Sequence, residues 1–185
     1  MMFDISKSVG CTERMNYLKR GFLFYMCSSC MLLVQFAIYL VNSNYWESLN
    51  FVGGFYYLMA ALGQAFLFNL IPWVILYIPF TWWRQMQKVG TILFSCAIFL
   101  LNVLAYLNGI VFQLYKFHIN GFVLDLAFGG GGNQVFVFNN TLILHGVLIG
   151  LLILLFTLAV VFIAYRYAWY VTSKQVKIGI YLFLF

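Results

Sequence analysis

The chain has 185 residues, 65% of them hydrophobic and only 8% charged, with a formal net charge of +6. Soluble domains sit nearer half apolar and about a quarter charged, so these residues cannot cover a water-facing surface, and the composition describes an all-α polytopic membrane protein. A transmembrane β-barrel is excluded, because its strands alternate polar and apolar residues and the segments here are apolar on every face.

Residues 1–21 form a cytoplasmic N-terminus carrying Asp4, Lys7, Glu13, Arg14, Lys19 and Arg20 ahead of any apolar run. That order, with no small-residue cleavage site closely following, is not a cleavable signal peptide. The first span is expected over 22–41. It contains Cys27 and Cys30, a CxxC pair without a second pair or a nearby His; inside an apolar span free cysteines act as small hydrophobes. Tyr45, Trp46, Tyr56 and Tyr57 bracket the outer segment 42–54.

The second span, 55–80, is longer than the roughly 20 residues one crossing needs, so it tilts or is bent at Pro72. Gln64 and Asn69 lie within it, and amides in lipid need partners, so both are expected to face other helices. Trp82 and Trp83 follow at an interface, where indole rings favour headgroup depth. The third span covers 89–107 and the fourth 142–165. His145, near the start of the fourth, is expected to bond a neighbouring helix, and Trp169 anchors its far end.

A fifth span opens after Lys174 and Lys177 with GIYLFLF and is truncated at 178–185. The expectation is a fragment: the membrane domain, 22–185, of a longer protein whose C-terminal soluble domain lies beyond Phe185.

The basic residues decide direction. Nine of the ten Lys and Arg residues lie before the first span, between the second and third, or between the fourth and fifth; Lys116 is the tenth. By the positive-inside rule the N-terminus is cytoplasmic, and segments 42–54 and 108–141 face outward. No basic stripe lies on a soluble face, so the charge is not a nucleic-acid footprint.

Segment 108–141 is far more apolar than a solvated loop. Phe112, Phe117, Phe122, Phe128, Phe136 and Phe138 would be poorly placed in water. It is read as an interfacial segment between helices 3 and 4, lying along the membrane surface or forming a collar for an outer domain. In the first case Lys116 and His118, with Tyr115 and Asn120 beside them, are the candidate lipid-headgroup contacts. The glycine run 129–132 lacks the lysine and following helix of a phosphate-binding loop and reads as a turn. Asn139-Asn140-Thr141 matches a glycosylation acceptor, which has no meaning in a bacterial protein.

The stretch Val111-Phe112-Gln113-Leu114-Tyr115-Lys116-Phe117-His118-Ile119-Asn120, followed by Gly121-Phe122-Val123-Leu124-Asp125-Leu126, resembles the N-terminal transmembrane domain of the YejM family, also called PbgA or LapC. Pro79-Phe80-Thr81 at the end of the second span is also similar. The resemblance implies five transmembrane helices, a cytoplasmic N-terminus, a multi-pass location in the bacterial inner (cytoplasmic) membrane and a periplasmic sulfatase-like domain. It further implies Gram-negative lipopolysaccharide regulation, contact with lipopolysaccharide or cardiolipin, and a LapB-like membrane adaptor as partner. Where the family commonly has Asp just before the Val-Phe pair this chain has Asn108; the glycine run has no counterpart in the family, and the family's arginine-rich linker, which follows the fifth span, is expected beyond this fragment.

Three functions compete. The first is a non-catalytic module that anchors, senses lipid and presents a partner surface. The second is the anchor of an active metal-dependent sulfatase or phosphoethanolamine-transferase-like enzyme. No His and carboxylate cluster for metal and no nucleophile paired with a base is present in these residues, so no catalytic residue, metal or cofactor is expected within them. The third, a transporter or channel, needs intramembrane ionisable residues along a path, and the spans offer only His145 near an edge.

Overall fold

The computed structural model describes residues 2–42, 50–115, 118–121, 125, 140–171 and 176, with the side chains of 2–11, 39–42, 84, 114, 115, 140, 142 and 169 left undescribed. The described residues are helical, without strands. Helix α1 is Met2–Asn42, α2 is Phe51–Pro72, α3 is Gln87–Tyr115 and α4 is Asn140–Tyr167. Four segments are long and apolar enough to cross a membrane: Thr12–Ile38, Phe51–Thr81, Gln87–Gln113 and Ile143–Tyr167. The expected fifth span, 178–185, lies outside the described residues.

Boundaries differ from the sequence expectation most in three places, the least of them the start of α2 at Phe51 rather than residue 55. Helix α1 begins well before residue 22, so Arg14, Lys19 and Arg20 ride on the same helix as the first span. Helix α3 continues past Leu107 to Tyr115, so residues 108–115, expected to start the interfacial segment, extend a membrane helix. Ile110, Val111 and Phe112 continue the apolar run there, and the amide of Asn108 is engaged from the side rather than ending the helix.

Helix α2 starts at an Asn50 cap, whose side-chain oxygen accepts from the Gly53 N–H at 2.8 Å, satisfying one of the donors a helix start leaves unpaired. It loses α-geometry at Pro72, which has no N–H to donate. Beyond it Trp73–Tyr77 form a π-helical turn and Ile78–Thr81 a 3-10 helix. Of the tilt or bend expected for this long span, the structure shows a local widening after Pro72, closed by the Ile78 N–H bonding the Trp73 carbonyl.

Helix α1 contacts each of the other three; it runs antiparallel to α2, where Tyr25 meets Phe66 and Phe36 meets Tyr57, and parallel to α3, where Phe24 meets Phe94 and Gln35 meets Asn102. The α1–α3 level is set by Phe24 against Phe94 at 4.8 Å between ring centroids. Arg20 lies over the Tyr165 ring at 4.6 Å, so the basic residues of α1 share one end of the bundle with those after α2 and at the end of α4. This basic half is close-packed by Tyr17, Phe24, Tyr25, Trp73, Tyr77, Phe94, Ile98, Val160 and Ala164. Tyr17 and Tyr77 stack at 4.1 Å, and each hydroxyl donates to the other's backbone carbonyl. Gly21 is why the Tyr77 ring fits: a Cβ there would overlap it. Gly90 makes similar room for Tyr17 and Phe80. Lipid tails are as apolar as these rings, so their close van der Waals fit, rather than escape from water, holds the half together.

The outward faces are apolar. Leu67, Leu100, Leu155 and Phe162 are all more than half exposed, whereas the buried set includes Ser28, Ser29, Asn69, Asn102 and Thr157. This inside-out distribution suits a hydrocarbon surrounding, where polar groups must find partners inside the bundle.

Candidate functional site: an uncharged intramembrane cavity

In the half away from the basic residues the bundle opens into a cavity of about 1060 Å³, just above the roughly 300–1,000 Å³ of ligand pockets. Its walls come from Met31 to Ile38 on α1, Tyr57 to Gln64 on α2, Ala105 to Gln113 on α3 and Ile149 to Ala159 on α4. At 1.5 Å per residue these stretches run for about 10–15 Å. That is close to half of a hydrocarbon core about 30 Å thick, one leaflet. None of the described lining residues carries a charge. The walls are mostly apolar, interrupted by Gln35, Gln64, Asn108, Gln113 and His118 with the phenols of Tyr57 and Tyr106.

At the mouth the end of α3 is tied to the chain that follows it. The Ile119 N–H donates to Asn108 Oδ1 at 2.8 Å, and Asn108 Nδ2 lies 3.2 Å from His118 Nδ1. The His118 ring stacks on Phe112 with centroids 4.6 Å apart. A backbone N–H can only donate, so it assigns Oδ1 of Asn108. The remaining Nδ2 is a donor, so His118 Nδ1 must accept and the proton resides on Nε2. Asn108 thus serves as donor and acceptor at once, which a carboxylate could not.

Deeper in the wall a second chain of amides is oriented in the same way. The Ile98 carbonyl can only accept, and Asn102 Nδ2 donates to it at 2.8 Å. Asn102 Oδ1 then accepts from Gln35 Nε2 at 3.1 Å. Gln35 Oε1 is left buried with no hydrogen-bond partner. Below the cavity Asn69, fully buried, donates through Nδ2 to Ser29 Oγ and the Ala65 carbonyl, both at 3.2 Å.

Of the two amides expected to face other helices, Asn69 does, across to α1, whereas Gln64 is exposed to the cavity. His118 lies at the cavity mouth and Asn120 follows it, exposed. Lys116 lies outside the described residues, as do Trp46 and the side chains of Tyr115 and Trp169. Trp82 and Trp83 are exposed in the connection between α2 and α3, at the basic end. Among the described residues His145 bonds its own helix and not a neighbour: its Nδ1 donates to the Thr141 carbonyl one turn back, at 2.7 Å. Cys27 is half-buried and Cys30 exposed on α1, both as free thiols, and no metal-holding group of His, Cys, Asp or Glu occurs among the described residues. Gln35 and Asn102 were missed by the sequence reading; a search for amides within apolar spans would have found both.

Fold and cavity together define a class: a helical bundle with membrane-length helices, packed at one end and opened at the other into a pocket without charge among its described lining residues. The chain belongs to the family described as Domain of unknown function (DUF3413), whose model matches residues 12–185. No curated protein and no solved structure matches it.

Proposed function

We propose that this chain is the membrane-anchoring, lipid-sensing and partner-binding domain of an inner-membrane sulfatase-like protein, similar to the YejM regulators of lipopolysaccharide synthesis and outer-membrane homeostasis. The observation that carries the lipid reading is the cavity: one leaflet deep, walled by apolar side chains and free of charge among its described lining residues. Such a site suits lipid chains, while an ion or a charged solute would lose its hydration there without compensation. In this reading the basic end lies in the cytoplasm and the cavity opens to the outer leaflet, following the positive-inside rule. Lys116 and His118, with Tyr115 and Asn120, meet the headgroup; Trp46, Trp82, Trp83 and Trp169 anchor the interfaces.

Sensing works by population shift. A lipid that binds one arrangement of the open half better than another changes the fraction of chains in it. The packed aromatic half passes that change to a surface read by a LapB-like adaptor or by the protein's own periplasmic domain. Catalysis, metal and cofactor binding play no part in this module.

The test is lipid retention. Ala105 lines the cavity, so Ala105→Phe fills it. Mass spectrometry of lipid retained through detergent purification is expected to show a several-fold loss in Ala105→Phe, with helicity unchanged. Equal lipid in both proteins would refute the cavity as the lipid site.

A further inference from the structure

Gln64 is the polar group in this cavity that the lipid reading leaves unexplained. It lines the cavity and its side chain is exposed there, and no hydrogen bond to it is found among the described residues. It lies about 20 Å along the helix from Phe51 and about 25 Å from Thr81 at 1.5 Å per residue, near the middle of the Phe51–Thr81 span. A carboxamide at that depth is costly unless something satisfies it. The ester and headgroup oxygens of an ordinary lipid sit at the bilayer surface, far above it. Gln35, nearer the mouth, has its amide turned into the wall toward Asn102, so its Oε1 is not presented to the cavity as Gln64 is.

We infer that the cavity is built for a lipid bearing an uncharged oxygen function, a hydroxyl or a carbonyl, within its apolar body, and that the Gln64 carboxamide is the residue that recognises it. The inference rests on the lipid reading of the cavity and narrows it. An amide offers both N–H donors and a carbonyl acceptor, so Gln64 can donate to a carbonyl or exchange bonds with a hydroxyl. None of the described lining residues carries a charge, which favours a neutral function at the depth of Gln64. A plain hydrocarbon chain would fill the volume and leave Gln64 unmet.

The experiment uses the 185-residue chain in detergent micelles and three uncharged probes of equal length: methyl stearate, and the same ester with a hydroxyl or a ketone at mid-chain. Binding is measured by native mass spectrometry across a concentration series. The oxygenated probes are expected to bind about tenfold more tightly, the scale of meeting a buried polar group that is otherwise unsatisfied. Gln64→Leu is expected to erase that preference while binding methyl stearate at least as well. Equal affinities for all three probes in the unsubstituted protein would overturn the inference and leave the lipid cavity standing. No saturable binding by any probe would overturn both. Because the unsubstituted protein alone decides between these results, a Gln64→Leu chain that failed to fold would not rescue the idea; a preference that survives in a folded Gln64→Leu would also overturn it.

Discussion

Gly21→Ala tests the packed half at its tightest point. A Cβ at Gly21 would overlap the Tyr77 ring, and that ring cannot retreat freely, because it stacks on Tyr17 at 4.1 Å and packs edge-on against Phe94 at 5.4 Å. Overpacking of this kind costs about 1–3 kcal/mol. Displacing the ring also gives up an aromatic contact of about 0.5–1.5 kcal/mol and weakens the Tyr77 hydroxyl bond to the Tyr17 carbonyl, about 1 kcal/mol. Alanine returns about 1 kcal/mol of helix propensity. The expected net loss is about 2–4 kcal/mol, read as an earlier midpoint when the folded protein in mild detergent is titrated with SDS and followed by circular dichroism. Gly63→Ala is the control, since a Cβ there meets nothing within 4 Å; it is expected to be neutral or stabilising by up to about 1 kcal/mol. In a Tyr77→Leu background the colliding ring is gone, so Gly21→Ala should cost under about 1 kcal/mol, leaving a large coupling between the two positions. An equal cost of Gly21→Ala in both backgrounds would refute the steric account.

Two further outcomes follow from the polar contacts. Nitrogen NMR of the two histidines should find opposite neutral tautomers, His118 with its proton on Nε2 and His145 with its proton on Nδ1, since one Nδ1 faces the Asn108 amide donor and the other a carbonyl. Asn108→Asp should move the His118 proton to Nδ1, because both carboxylate oxygens can only accept; a His118 proton found on Nδ1 in the unsubstituted protein would refute the Asn108–His118 bond in this orientation. A double-mutant cycle of Ser29→Ala and Asn69→Leu should give a coupling of about 0.6 kcal/mol, typical of interhelical hydrogen bonds in membranes, and a coupling of zero would show that the Asn69–Ser29 contact does not join α1 to α2.

Much of the architecture was legible without coordinates. Four runs of apolar residues separated by charges and aromatics could only be membrane-length helices, because the backbone's polar groups must be satisfied within each segment in lipid. The break at Pro72 was legible too, from a residue that cannot donate. Legibility failed where local preference and tertiary partners diverge. Asn108-Gly109 looks like the end of a helix, yet α3 passes through it, with the Asn108 amide taken up by His118 and Ile119. His145 gives no sign in sequence of choosing its own helix over a neighbour.

Composition and periodicity by themselves therefore determined the class, the positions of four spans and the grouping of basic residues at one end, since these depend on single segments and the solvent around them. Which amides meet a partner and which face an opening was decided only by how the helices assemble. Asn69 and Gln64 lie in the same apolar span with similar side chains, yet one is fully buried against Ser29 and the other exposed in the cavity. That difference arises because the helices bring their aromatic rings into mutual contact at one end and leave a cavity between their walls at the other.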